Sequence, residues 1–169
     1  QVFTLLETIY HAMDKAAKKL GVFKVETIGD CYVAATGLPE PQANHAELMV
    51  RFARSCLIKI NALTRSLEAT LGPGTADLSM RFGIHSGPVT AGVLRGQKAR
   101  FQLFGDTMNM AARMESSGIK NKIHLSQDTA NLLIAAGRQQ WVAPRIGTVE
   151  VRGKGEMQTY WLLLGGSSS

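Results

Sequence analysis

Apolar side chains recur at helical spacing from Val2 to Leu20 (Val2, Leu5, Leu6, Ile9, Met13), and Gly21 marks the stop of the helix they predict. Val22 to Ile28 then alternates as a strand. Gly29-Asp30 is a two-residue turn signal and Cys31 to Ala35 a second strand, so the pair reads as a tight hairpin. Asn44, with Glu47 three residues on, has the pattern of a capped helix start. The stripe Leu48, Met49, Phe52, Cys56, Leu57, Ile60 and Leu63 carries that helix to the breaker Gly72-Pro73-Gly74.

Alternation returns from Leu78 to His85, with Leu78, Met80, Phe82 and Ile84 expected on one face. After Ser86-Gly87-Pro88 come strands over Val89–Leu94 and Arg100–Phe104. Gly105-Asp106-Thr107 then opens a helix reaching Ser116, with Gly118 as its stop. Lys122–Leu125 reads as a strand, and Ser126 caps a helix that ends at Gly137. Val149–Arg152 and Thr159–Leu164 flank Gly153-Lys154-Gly155-Glu156 as a closing hairpin, and 165–169 form a flexible tail. Helices and strands alternate with hairpins between them. That order predicts an α+β fold with a mostly antiparallel sheet flanked by helices, in one domain over 1–164.

Composition narrows the picture only a little. At 169 residues, 45% hydrophobic and 19% charged, the chain can bury one sizeable core. It has no apolar run of membrane-spanning length and no secretory leader, so no direct membrane insertion is expected. Cys31 and Cys56 read as buried small hydrophobes in a reducing compartment. The net charge of +6 could suit an anionic partner. Its basic residues, however, are scattered singly apart from Lys18-Lys19, and no aromatics interleave with them, which argues against nucleic acid.

Familiar nucleotide signatures are absent: there is neither a Gly-x4-Gly-Lys-Ser/Thr phosphate loop nor a Gly-x-Gly-x-x-Gly turn. The histidines at 11, 45, 85 and 124 lack metal-ligand spacing, and His85 reads as structural. Three places could carry chemistry. Asp30 is a carboxylate on a rigid turn, and a hard cation needs one or two of these plus phosphate oxygens. Asn109 and Arg113, four residues apart, project from one helix face, where an amide beside a guanidinium suits a ribose and a phosphate. Gly153-Lys154-Gly155 clears space around a lysine at a hairpin tip. Each feature alone is also ordinary turn or solvated-helix chemistry.

Taken in order, these segments resemble the catalytic domains of class III adenylate and guanylate cyclases, which have a ferredoxin-like fold. The resemblance lies in Lys24-Val-Glu-Thr-Ile-Gly-Asp-Cys-Tyr32 with Thr36-Gly-Leu-Pro39, and in Arg81-Phe-Gly-Ile-His-Ser-Gly-Pro-Val89 with Ala91-Gly-Val93. It continues in Phe104-Gly-Asp-Thr-Met-Asn-Met-Ala-Ala-Arg-Met-Glu-Ser-Ser-Gly118 and Val151-Arg-Gly-Lys-Gly-Glu-Met157. It runs from about residue 2 to residue 164.

The resemblance implies conversion of a nucleoside triphosphate to a 3′,5′-cyclic monophosphate and pyrophosphate, assisted by two divalent ions, Mg2+ or Mn2+. Asp30 would be a metal ligand, Asn109 would orient the ribose, Arg113 would stabilise charge on the α-phosphate, and Lys154 would bind the triphosphate. A first metal-binding aspartate is expected on a strand ahead of the first helix, and this chain opens at the equivalent of that helix. These 169 residues alone are therefore expected to be inactive. The family's sites are shared across a head-to-tail dimer, so a homodimer or a heterodimer with another cyclase domain is implied.

Glu26 stands where guanylate cyclases carry Glu and adenylate cyclases Lys. Gln102 stands where they carry Cys and Asp respectively, and its amide can serve either base. Pro88 and Phe104-Gly-Asp-Thr107 look more like the guanylate branch, so GTP is the expected substrate and ATP the alternative. Two other readings stay open. One is a non-catalytic cyclase-homology domain that regulates an active partner. The other is a ferredoxin-like nucleic-acid binder, which would need aromatics on a sheet face where this chain offers aliphatics. The expected location is cytoplasmic, with the cytosolic part of a larger membrane receptor as one form it could take.

Overall fold

The computed structural model describes residues 2–28, 30–75, 79–94 and 100–164. Leu78, Gly29 and the tail over 165–169 fall outside them. The chain divides into two compact units, Gln1–Met80 and Arg81–Ser169.

In the first unit, α1 (Val2–Leu20) buries Leu5, Ile9, Met13, Ala16 and Ala17 in steps of three and four. It packs against α2 (His45–Leu71). That helix buries Val50, Ala53, Leu57, Ile60 and Thr64, with Phe52 and Cys56 beside them. The expected stripe departs from the structure at Leu48, Met49 and Leu63, which are only half-buried, while Thr64 lies inside because its hydroxyl donates to the Asn61 carbonyl at 3.1 Å. Nor does the expected cap form. Asn44 sits at φ −98°, ψ 28°, not the extended conformation a capping side chain needs, and makes no side-chain cap bond. The helix starts on the His45 N–H to Gln42 carbonyl bond at 3.2 Å instead.

Strands β1 (Phe23–Ile28) and β2 (Cys31–Ala35) form the expected antiparallel hairpin. Its ladder skips one residue, pairing Lys24 with Ala34 and Glu26 with Val33, so Val25 is the extra residue of a β-bulge. Cys56 is buried, which pushes its thiol up to about 12. Cys31 is solvent-exposed, contrary to expectation, because it pairs with the exposed Ile28 where the hairpin ends.

The second unit is built on β3 (Phe82–Ile84), β6 (Ile123–Ser126), β10 (Thr159–Leu162) and β7 (Val142–Pro144), in that spatial order. β3 and β6 are parallel and the other pairs antiparallel. Two further hairpins stand apart: β4 (Thr90–Leu94) with β5 (Arg100–Phe104), and β8 (Val149–Val151) with β9 (Gly155–Met157). Among the described residues the pairing is thus spread over four sheets rather than one, although antiparallel pairs dominate.

Two strand expectations are corrected here. The Leu78–His85 strand shrinks to Phe82–Ile84, because its partner β6 begins only at Ile123, after a turn through Asn121 at φ 65°. The closing hairpin pairs Val149–Val151 with Gly155–Met157. Thr159–Leu162 instead enters the four-stranded sheet, after Gln158, whose amide donates to the carbonyls of Arg145 and Thr159.

Helix α3 (Asp106–Ser116) lays Met110 and Met114 on Val149, Val151 and Met157. β3 approaches this helix so closely that a Cβ at Gly83 would collide with the backbone of Met114 and Glu115. The α3 C-cap is Ser117, one residue before the expected Gly118. The Ser126 hydroxyl accepts from the Thr129 N–H at 3.3 Å, capping α4 (Gln127–Ala135) as expected.

Buried His124 ties these parts together. The Met114 carbonyl can only accept, so the His124 Nδ1 2.9 Å away donates to it. Nε2 then accepts from the Thr159 hydroxyl at 2.7 Å and from Arg145 Nη1 at 3.3 Å. Arg145 Nη1 also donates to the Ser117 carbonyl at 2.7 Å, so the C-terminal turn of α3 is gripped from below.

Candidate active site

Glu26 and Asp30 sit on the β1–β2 hairpin of the first unit. Paired residues share a face of the ladder, so Lys24 goes with Ala34 and Tyr32, and Glu26 goes with Val33 on the opposite face. Without the bulge, Lys24 and Glu26 would share one face. The Lys24 face is turned to the helices and neutralised there. Lys24 Nζ lies 3.0 Å from Asp14 Oδ1, and the Tyr32 hydroxyl donates to the same oxygen at 2.8 Å. The Tyr32 ring packs on Tyr10 and Phe52, with centroids 5.6 and 6.4 Å away. Burial and the Asp14 acceptor both push the Tyr32 phenol upward.

Glu26 is left half-buried on the other face, and Asp30 is exposed at the tip. Neither carries an ion pair among the described residues. The Tyr10 phenol is raised by burial first and then by the charges of Asp30 and Cys31, so α1 feels the hairpin tip electrostatically. The described residues contain no cluster of three or more His, Cys, Asp or Glu side chains that could enclose a cation. One exposed carboxylate suits an ion that takes its remaining ligands from phosphate oxygens and water, as Mg2+ does.

In the second unit, Gln102 lies on β5 opposite Gly92. The absent side chain at Gly92 leaves room that the Phe104 ring enters, its Cε2 3.4 Å from where a Cβ would stand. Gln102 is half-buried and leads into α3 through Phe104 and Gly105. Asn109 and Arg113 are exposed on α3, one turn apart, as their spacing predicts. Their side chains have no partner among the described residues. Only the Arg113 backbone is engaged, its carbonyl accepting from the Ser117 N–H at 3.0 Å and the Ser117 hydroxyl at 2.6 Å.

Lys154 occupies the β8–β9 tip between Gly153 at φ 83° and Gly155 at φ 79°, a left-handed pair that a side chain would strain. Its Nζ lies 2.8 Å from Asp106 Oδ2 at the start of α3. This contact closes a cleft of about 290 Å³ lined by His85, Ser86, Thr107, Asp128, Asp106 and Lys154, among others. His85, expected to be structural, has its Nδ1 2.7 Å from the Ser126 hydroxyl and also lines this cleft. Burial lowers the His85 pKa, with Asp128 and Asp106 opposing and Lys154 adding to the effect. The spacing argument missed Asp106, which reads as turn chemistry until the fold brings Lys154 to it. It also missed Asp14 and Tyr32, whose partnership spans 18 residues.

Residues 1–164 match the profile of the adenylate and guanylate cyclase catalytic domain. The chain belongs to that family. It is 42% identical over 164 residues to guanylate cyclase 2G of Mus musculus, covering 96% of this chain and 14% of that protein. It is 39% identical to guanylate cyclase soluble subunit beta-2 of Rattus norvegicus, covering 96% of this chain and 23% of that one. Among solved structures, the guanylate cyclase domain of RhGC from Catenaria anguillulae in complex with GTP superposes with a TM-score of 0.78 at 38% identity. The match covers 96% of this chain and 83% of that one. The chain thus spans well under a third of the length of these two full-length relatives. No helix among the described residues is long and apolar enough to cross a membrane.

Proposed function

We propose that this chain is the catalytic domain of a longer guanylate cyclase that converts GTP to 3′,5′-cyclic GMP and pyrophosphate inside the cell. The observation that carries the reading is α3, which presents an amide and a guanidinium one turn apart, neither side chain partnered among the described residues. Lys154 stands beyond the start of the same helix. In the reaction the ribose 3′-hydroxyl loses its proton to solvent water as its oxygen bonds to the α-phosphorus, the bond from that phosphorus to the bridging oxygen of the β-phosphate breaks, and pyrophosphate leaves. Asn109 holds the ribose so that its 3′-oxygen faces the phosphorus. Arg113 bears the charge that builds on the α-phosphate oxygens, an interaction strongest in the transition state. Lys154 holds the outer phosphates. Bound divalent ions would neutralise phosphate charge and acidify the attacking hydroxyl, with Asp30 as one ligand.

Glu26 reads the base, accepting from guanine N1–H and the 2-amino group, and Gln102 contributes an amide that can serve either base. The names of the guanylate cyclase relatives support GTP, and the Val25 bulge supports Glu26 in this role by turning it away from Lys24. The Asp30 and Arg113 groups are completed across a head-to-tail pair of cyclase domains, either two copies or this one and a related partner. In full-length protein with Mn2+, cyclic GMP should form at a higher kcat/KM than cyclic AMP. A protein that yields neither nucleotide, or that favours ATP, contradicts this reading.

A further inference from the structure

We propose that Asp106 is a built-in counter-ion that competes with the nucleotide's phosphates for Lys154, so that the triphosphate binds by exchanging places with a carboxylate. The inference rests on the reading of Lys154 as the triphosphate-holding residue and deepens it. Three features of the second unit support it.

The first is the contact itself: Lys154 Nζ and Asp106 Oδ2 are 2.8 Å apart, and both side chains remain partly open to solvent, at 39% and 65%. An exposed pair of this kind is held weakly enough to be exchanged. The second is that the Lys154 backbone cannot follow its side chain. The Lys154 N–H donates to the Val151 carbonyl at 2.9 Å and the β8–β9 ladder closes on both sides of the tip, so the ammonium works over a short radius.

The third is the charge of the cleft. Its formally charged lining residues are Asp106, Asp128 and Lys154, while His85 is neutral at pH 7 because burial lowers its pKa from 6.5. Two carboxylates face one ammonium, so an arriving polyanion meets repulsion unless Lys154 leaves Asp106 for it. Asp106 is also the first residue of α3, whose Gly105 N-cap offers no side-chain acceptor. A carboxylate there lies in the favourable field of the helix N-terminus. Asp106 therefore has a stable resting place once Lys154 has moved, and it retakes Lys154 as pyrophosphate departs.

The test is a double-mutant cycle in the full-length protein, reading KM for GTP and the inhibition constant of inorganic pyrophosphate. Asp106→Asn should lower both about three- to fivefold. Asp106→Ser, which also removes the carboxylate charge, should do the same. In a Lys154→Ala background the Asp106 substitutions should change neither constant. Unchanged or raised constants in the Asp106 single mutants overturn the proposal. So does a decrease that persists without Lys154, because the carboxylate would then act by general repulsion. If Lys154→Ala alone leaves KM unaltered, the assignment of Lys154 to the triphosphate fails. If it raises KM while Asp106→Asn does nothing, that assignment stands and the counter-ion proposal falls.

Discussion

Beneath the β1–β2 hairpin, Asp14, Lys24 and Tyr32 satisfy one another on the helix-facing side, which leaves Glu26 and Asp30 clear. In the second unit Lys154, the residue proposed to hold phosphate, is paired with Asp106, while the side chains of Asn109 and Arg113 have no partner among the described residues. The contrast fits the roles proposed for each region. A carboxylate proposed to read a base must keep nearby cations from capturing it, and the bulge at Val25 turns Glu26 away from Lys24. A lysine proposed to hold phosphate, in a cleft with two carboxylates, is best kept paired until its ligand arrives.

The largest effects should come from the clear residues of both regions. In the full-length protein, Asp30→Ala should abolish turnover with either Mg2+ or Mn2+, and Arg113→Ala should lower kcat by about a hundred- to a thousandfold. Both side chains are exposed, so the melting temperature should hardly move, with a stability change within about 0.5 kcal/mol. Near-normal turnover in either variant would remove that residue from the mechanism. Next in size is Glu26→Lys, which should shift the ratio of kcat/KM for GTP to that for ATP toward ATP by about ten- to a hundredfold. The permissive Gln102 amide keeps the change short of complete exclusion. An unaltered ratio would show that the bulge aims Glu26 at nothing the enzyme reads.

Smaller again is the anchor. Asp14→Ala leaves the half-buried Tyr32 hydroxyl and Lys24 without their acceptor. That should cost about 1 kcal/mol of stability, since the ion pair itself is well exposed to solvent. Denaturant unfolding checks it, and no loss of stability would mean the hairpin stands on packing alone.

The smallest effect is the pH dependence of the second unit. Burial depresses the pKa of His124, as it does that of His85, below 6.5. The folded chain then binds fewer protons than the unfolded one as acid is added. The stabilising contribution is whole above pH 6.5 and is lost as pH falls through the lowered values. Unfolding curves between pH 7 and about pH 5 should show it, and His124→Gln should flatten the slope.

Much of this was legible along the chain, because the signals are local. The spacing over Val2–Leu20 yields α1 to the residue, and Ser126 caps α4 as it reads. Asn109 and Arg113 share a face because a helix requires it. What escaped depends on partners distant in sequence. Alternation over Val22–Ile28 puts Lys24 and Glu26 on one face, and only the pairing with β2 reveals that Val25 is extra. The Gly153-Lys154-Gly155 turn was plain, but Thr159–Leu162 pairs with β6 and β7, since Gln158 breaks the run after Met157. Strand β7 went unread. It is an edge strand of three residues ending in Pro144, which is tolerated only because one side of an edge needs no donor. The Asp106–Lys154 pair joins two turns far apart in sequence and leaves no periodic trace.

The central claim is that the Asp30 group of one cyclase domain and the Asn109, Arg113 and Lys154 group of another build one catalytic site. The most direct measurement mixes full-length Asp30→Ala protein with full-length Arg113→Ala protein, each inactive alone and each shown to dimerise. With random pairing, half the dimers are mixed and each contains one intact site of two. Cyclic GMP formation should therefore return to roughly a quarter of the wild-type rate at equal total protein. A mixture of exchanging dimers that stays as inactive as its components would contradict the shared site.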